Sequence, residues 1–383
     1  MTVVVVGAGI IGTLTAWRLA QDGHTVTLVD DGAPGAWQVA AGMLAPALEA
    51  APGEEDLLAT FRAGADAWPG TAAELEERAG TSVDLERTGS LLVARTDDDL
   101  AELREVLDVH RSLDLSSEPL RARACREREP ALHPRIRGGL WAASDHRVDP
   151  RRVVAAARSA GADAGVRTER GRVVAVTGGD DADAEPHAPA TGVRLDDGRT
   201  LPADTVVLAA GWRCRDLDGV PSPLRRALRP VKGQLLVLGA ADGRPLLTAT
   251  VRGLVRGRPL YLVPRPDGRL VVGATEEERG DDTTVTAGAV RTLLDDAVSL
   301  VPGVDELVVH ETLAGLRPGT ADGRPLVGPT TRPGLIAATG HHRHGVLLGP
   351  WTATMVADLL AGRTSSDAPL VPADRPTGAV TCR

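Results

Sequence analysis

At 383 residues, 43% hydrophobic and 25% charged, the chain has enough material for two domains with separate cores. Forty-three Lys and Arg against 52 Asp and Glu leave a net charge of −9, which argues against a nucleic-acid-binding or anionic-membrane surface. No uncharged apolar stretch reaches the ~20 residues that span a bilayer, and no basic region precedes the apolar N-terminus, so neither a membrane span nor a signal peptide is expected.

The chain opens on Thr2–Val6, a β-branched run that reads as a strand buried on both faces of a parallel sheet. Gly7-Ala8-Gly9-Ile10-Ile11-Gly12 follows, and Ile11, Leu14, Thr15 and Leu19 then fall at helical spacing up to a terminating Gly23. A second apolar run, 25–29, ends in Asp30-Asp31. Strand, glycine turn, helix, strand and acid in this order make a dinucleotide-binding unit. Gly7 permits the tight turn, Gly9 lets a pyrophosphate approach the backbone, and Gly12 lets the helix pack on the strand. The helix N-terminus attracts phosphate, and Asp30 can accept hydrogen bonds from ribose hydroxyls. FAD and NAD use the same turn, so this unit leaves the choice between them open.

Farther along, 54–80 and 97–110 read as amphipathic surface helices, and 83–94 as strands with a turn at Thr88-Gly89. Asp149-Pro150 starts a helix to about residue 160, with Pro at its first position. Residues 172–177 and 192–195 read as strands flanking an acidic insert, 178–191, which suggests a solvated hairpin tip. A second buried parallel-type strand is expected at 205–210, further strands at 234–238, 259–264, 270–273 and 306–311, and a helix at 286–301. The expected class is α/β: a discontinuous Rossmann-type dinucleotide-binding domain (1–80, 147–225 and 308–363) with an inserted antiparallel β-sheet substrate domain (81–146 and 226–307). The Pro-rich residues 364–383 read as a disordered tail. Cys125, Cys214 and Cys382 lack any C-x-x-C spacing and fit free thiols in a reducing cytoplasm. His342 and His344 form an H-x-H pair with no carboxylate or cysteine cluster beside it, so no metal is expected.

Six blocks carry more specific information. They are Ala41-Gly42-Met43-Leu44-Ala45-Pro46, Lys232-Gly233-Gln234, Tyr261-Leu262-Val263-Pro264-Arg265, Val271-Val272-Gly273-Ala274-Thr275, Gly315-Leu316-Arg317-Pro318-Gly319-Thr320 and Gly340-His341-His342-Arg343-His344-Gly345. In content and order they resemble the glycine oxidases of thiamine biosynthesis, in the superfamily of D-amino-acid and sarcosine oxidases. The resemblance spans nearly the whole chain and implies bound FAD. With no cysteine in the flavin-facing C-terminal segment, attachment is expected to be non-covalent. By the resemblance, Arg317, Tyr261 and Arg343 hold the substrate carboxylate, a task for which a bidentate guanidinium suits better than an ammonium. Expected cofactor residues are Gly7, Gly9, Ile10, Ile11, Gly12, Asp30 and Asp31 in the first unit, and Gln38, Gly42, Met43 and Leu44 after it. To these the resemblance adds Val173 by its backbone near the adenine, Ala210 and Gly211, and His342, Arg343, His344, Gly345, Val346 and Leu347 along the flavin ring.

The chain departs from the family pattern at several points. Trp37-Gln38 stands where a small or hydroxyl residue often contacts FAD, His342 and His344 replace residues that are often aromatic and Asn, and Trp351 replaces a common Ala. Glu276 is expected near the substrate pocket, where its carboxylate could repel the substrate carboxylate or hold the amine. The implied reaction is oxidation of glycine, or of sarcosine or D-alanine, by O2 to imine or glyoxylate, ammonia and H2O2. The imine would supply the thiazole of thiamine. The alternatives are a sarcosine or D-amino acid oxidase, a flavin dehydrogenase with another electron acceptor, and a non-catalytic flavin- or NAD-binding module. Family members are often homotetramers, which makes a homo-oligomer the expectation.

Overall fold

The computed structural model describes residues 1–48, 57–113, 115–178 and 188–363. Most of the expected hairpin insert and all of the 364–383 tail lie outside them. In chain order the elements begin with β1 (Thr2–Val6), α1 (Ile10–Gln21), β2 (Thr25–Asp30), β3 (Met43–Leu44), α2 (Leu58–Ala79), β4 (Ser90–Ala94), α3 (Asp97–Ser112), β5 (Glu118–Arg121), α4 (Ala122–Arg128), β6 (Gly138–Ala142) and β7 (His146–Arg147). Next come α5 (Pro150–Asp163), β8 (Arg167–Arg170), β9 (Val173–Thr177), β10 (Gly192–Leu195), β11 (Thr200–Pro202), β12 (Thr205–Leu208), α6 (Ser222–Ala227) and β13 (Leu228–Gly239). The last are β14 (Thr250–Val255), β15 (Arg258–Pro264), β16 (Arg269–Gly273), α7 (Ala287–Leu300), β17 (Val308–Thr320), β18 (Leu326–Pro329), β19 (Leu335–Thr339) and α8 (Gly349–Leu360).

Two large sheets organise these elements. The first has the order β18-β19-β12-β1-β2-β8 and is parallel except at its β18 edge. β1 lies inside it, and Val3 to Val6 are all buried, as a strand covered on both faces requires. Helices α1, α2, α5 and α8 cover one face, and the apolar side of β9–β11 packs on the other. The second sheet has the order β17-β13-β16-β15-β14-β4-β6-β5, antiparallel except between β14 and β4. Helix α7 buries Leu293, Ala297 and Leu300 against it.

The elements differ from the sequence reading in three places. Residues 308–320, expected with the dinucleotide domain, are the edge strand of the second sheet, because β17 pairs with β13 from Leu228↔Thr320 to Gly239↔Val308. Only Ser90–Ala94 of the 83–94 stretch forms a strand; Glu86 makes a lone bridge to Arg147, and Asp84 and Gly89 take positive φ, which breaks the extended run. Helix α2 is less of a surface helix than its charges suggest, since Phe61, Trp68 and Leu75 are fully buried.

Arg265, just past β15, holds the sheets in relation to one another. Its guanidinium is 4% exposed and donates to Val148 O (2.9 Å) and Ala41 O (2.7 Å), with Asp149 at 3.9 Å. Asp149 in turn caps α5 by accepting from Arg151 N at 2.9 Å. Truncating Arg265 would leave the carbonyls of Val148 and Ala41 without their guanidinium donor, while Asp149 keeps the N–H groups of Arg151 and Arg152 and Arg269 at 3.5 Å. Arg265→Ala is expected to lower the unfolding free energy by about 2–4 kcal/mol, the cost of two buried acceptors left unsatisfied. Urea unfolding measures this, and a wild-type value in the variant would refute the arrangement.

Candidate functional site

A cavity of about 1860 Å³ is lined from both sheets, from the β1–α1 turn to the β13–β17 pair. At one end stands the glycine turn. A Cβ on Gly12 would come 1.8 Å from Gly7 O, so only glycine lets α1 lie this close to β1. Gly9, at the N-cap of α1, has no side-chain cap, and Ile10 and Ile11 begin the helix against the cavity. Asp30 ends β2 and braces the turn, accepting from Ala8 N at 2.7 Å and Gly32 N at 2.8 Å. A carboxylate accepts about two hydrogen bonds per oxygen, so capacity remains for hydroxyls. A bare helix N-terminus, a turn that excludes side chains and an acid at the strand end fit a dinucleotide.

At the other end Arg317 projects from β17. It donates to Thr275 O at 3.2 Å and Lys232 O at 3.5 Å. Among the described residues no carboxylate pairs with it. Gly233 makes room for it, since a Cβ there would meet Nη2 at 2.5 Å. Tyr261 and Arg343 line the same cavity. Glu276 also lines it, with a side chain 63% exposed that stands 3.8 Å from His342 Nε2.

The segment after β16 is pinned from behind. The fully buried Lys232 donates through Nζ to Asp282 at 2.5 Å, which holds the Asp282 carboxyl well below the usual carboxylate range. Gln234 joins the same network through Nε2 to Glu277 (2.6 Å) and Oε1 from Thr286 N (2.8 Å). The 340–347 segment is held similarly from α2, where Trp68 Nε1 lies 3.2 Å from Val346 O and 3.1 Å from Leu347 O.

Residues 2–359 match the DAO family of FAD-dependent oxidoreductases. The chain belongs to that family. It is 34% identical over 380 residues to a bifunctional ThiO/ThiG protein of Synechocystis, covering 98% of this chain and 53% of that relative. It is 32% identical over 364 residues to a glycine oxidase of Geobacillus kaustophilus, covering 94% of this chain and 92% of that one. The crystal structure of glycine oxidase from Geobacillus kaustophilus superposes with a TM-score of 0.83 at 30% identity, covering 96% of this chain and 97% of that one.

The oxidoreductase's cofactor is FAD, and most residues expected to touch it border the cavity. These are Gly7, Gly9, Ile10, Ile11, Asp30, Asp31, Gln38, Gly42, Met43, Val173, Ala210, Gly211, His342, Arg343, Gly345 and Val346. Gly12, Leu44, His344 and Leu347 do not line it. Gly12 serves helix packing; Leu44 and Leu347 are core residues; and the His344 ring stacks against Phe61 with centroids 4.3 Å apart. Sequence reasoning assigned no task to Lys232, Trp68, Arg158 or Arg252, although the last two line the cavity. An isolated Trp in an aromatic-poor chain was a signal for Trp68, and the Lys232-Gly233-Gln234 block marked Lys232; nothing local marks Arg158 or Arg252. Among the described residues, no helix is long and apolar enough to cross a membrane.

His341, fully buried at this end, meets Thr352 Oγ1 at 2.9 Å. Burial, with some repulsion from His344, pushes its pKa down to about 3. The unfolded chain therefore takes up a proton between pH 6.5 and about 3 that the folded chain does not. This contribution to stability is complete above pH 6.5 and falls on acidification by up to about 1.4 kcal/mol per pH unit. His341→Gln is expected to flatten the decline between pH 6.5 and 5, measured by urea unfolding at each pH. An unchanged slope would remove His341 as its source.

Proposed function

We propose that this chain oxidises glycine, using dioxygen as acceptor, to glyoxylate, ammonia and hydrogen peroxide by way of the imine. The observation that carries this reading is Arg317, a guanidinium facing the cavity with backbone carbonyls around it and, among the described residues, no acid to neutralise it. Such a group is a receptor for a small carboxylate. Arg317 receives that carboxylate, with Tyr261 and Arg343 adding further contacts. Carboxylate capture at one end fixes the direction of Cα and the amine, so the chain's contribution is orientation. FAD held by the cavity would supply the two-electron redox chemistry for the Cα–H bond, with dioxygen as the final acceptor. No general base is needed when the amine arrives neutral. The exposed Glu276 and the mostly buried His342 beside it bear on which amine is accepted; one methyl group is worth only about 1–3 kcal/mol in such a choice. The similarity to ThiO proteins supports a role in which the imine feeds thiazole synthesis for thiamine.

The parallel sheet with its covering helices is the FAD-binding domain in this reading, and the eight-stranded sheet, β17 included, is the substrate domain. Non-covalent attachment of the FAD fits this reading, since the described cysteines, Cys125 and Cys214, are buried and do not line the cavity.

Anaerobic titration with glycine, sarcosine and D-alanine should bleach the flavin band near ~450 nm, with glycine at the lowest concentration. Admitting air should restore the band and release peroxide. Bleaching that air does not reverse would point to another acceptor, and bleaching by sarcosine or D-alanine alone would move the substrate. Arg317→Ala should cost ~2–4 kcal/mol in kcat/KM, and Arg317→Lys should recover little, because an ammonium cannot bind a carboxylate bidentately. Unchanged kcat/KM in Arg317→Ala would take Arg317 out of the site.

A further inference from the structure

We propose that Arg158, seated on Trp37, is a ligand for the diphosphate of the bound dinucleotide. Arg158 lies on α5, far in sequence from the glycine turn, yet its Nη2 donates to Ala8 O at 2.9 Å inside that turn. Its guanidinium carbon stands 5.6 Å from the centroid of the Trp37 ring, within cation–π range. Both residues line the cavity. Among the described residues no carboxylate pairs with Arg158. Arg151, on the same helix and also against the cavity, is by contrast committed to Glu311 through two hydrogen bonds of 2.9 and 3.0 Å.

The charge balance at this end calls for such a group. A dianionic diphosphate arrives beside Asp30 and Asp31, and the α1 N-terminus offers only roughly half a positive charge. Trp37 brings a large ring where the resemblance leads one to expect a small or hydroxyl residue. A Cβ on Gly9 would lie 3.3 Å from Trp37 Cδ1, so the indole sits beside the glycine that phosphate must approach. The indole is the platform that directs the guanidinium toward the turn. Arg158 still has the Nε and Nη1 donors to offer phosphate oxygens, and the indole N–H adds another.

The test measures FAD affinity of the apoprotein by quenching of flavin fluorescence, at low and high salt, with apoprotein melting temperature alongside. Arg158→Ala should raise the Kd for FAD by about tenfold or more and flatten its salt dependence, with apoprotein melting unchanged. Arg158→Lys should recover part of the affinity. Trp37→Phe keeps the aromatic platform but loses the indole N–H, and should weaken binding less than Trp37→Ala. Competition by ADP should fall in Arg158→Ala, while competition by adenosine should not. A wild-type Kd in Arg158→Ala would overturn the proposal and leave the oxidase reading standing. So would weaker binding with an unchanged salt slope and a lowered melting temperature, which would make Arg158 a brace for Ala8 only. Wild-type apoprotein that takes up FAD but does not oxidise glycine would fail the oxidase reading and leave the Arg158 test intact.

Discussion

The long antiparallel pairing of β13 with β17 is the constraint on which the site depends. Strand side chains alternate between faces, so a one-residue slip in this ladder would turn Arg317 out of the cavity. In the observed register Arg317 lies opposite Val231 and diagonally across from Gly233, whose missing side chain is the space the guanidinium occupies. The next residue along β13, Lys232, faces the other way and is buried, where it ties down Asp282. One strand thus clears the cavity side for the arginine and anchors the adjoining segment from behind.

That anchoring shapes the wall opposite Arg317. Thr275 gives its carbonyl to Arg317 and its hydroxyl to Glu277 at 2.7 Å, and Gln234 bonds to both Glu277 and Thr286. The residue between them, Glu276, is left facing the cavity and solvent. A carboxylate there is far better hydrated than one in the core, so its presence on the same cavity wall is tolerable. The same logic applies to 340–347, where α2 supplies an indole donor and an aromatic ring to a segment short of regular structure of its own.

At the dinucleotide end the physics is backbone approach and charge. Glycine at 9 keeps a side chain from the path of a phosphate, glycines at 7 and 12 let the turn and α1 pack against the neighbouring backbone, and Asp30 steadies the turn from the neighbouring strand. Arg265 joins this end to the other by holding the carbonyls of Ala41 and Val148, so the strip that follows the glycine turn is fixed against the eight-stranded sheet.

Much of this was legible in the chain itself. Short-range patterns were enough for β1, α1 and β2, because a buried strand, a glycine turn and a helix are each specified by neighbours within a dozen residues. The Pro-led helix after Asp149 and the buried strand at β12 were readable for the same reason. Spaced blocks of motif were enough to name the family and to nominate Arg317, Tyr261 and Arg343, which line one cavity. The tertiary structure alone decided that β17 belongs to the second sheet, because strand partnership is settled by packing between segments some eighty residues apart. It also decided which cations are committed and which face the cavity: Arg151 meets Glu311 and Arg265 meets backbone carbonyls, while Arg158 and Arg317 meet no acid among the described residues. A sequence records the charge on a side chain, but its partners are set by the fold, since an ion pair or a bare guanidinium depends on distances of a few ångströms between residues far apart in the chain.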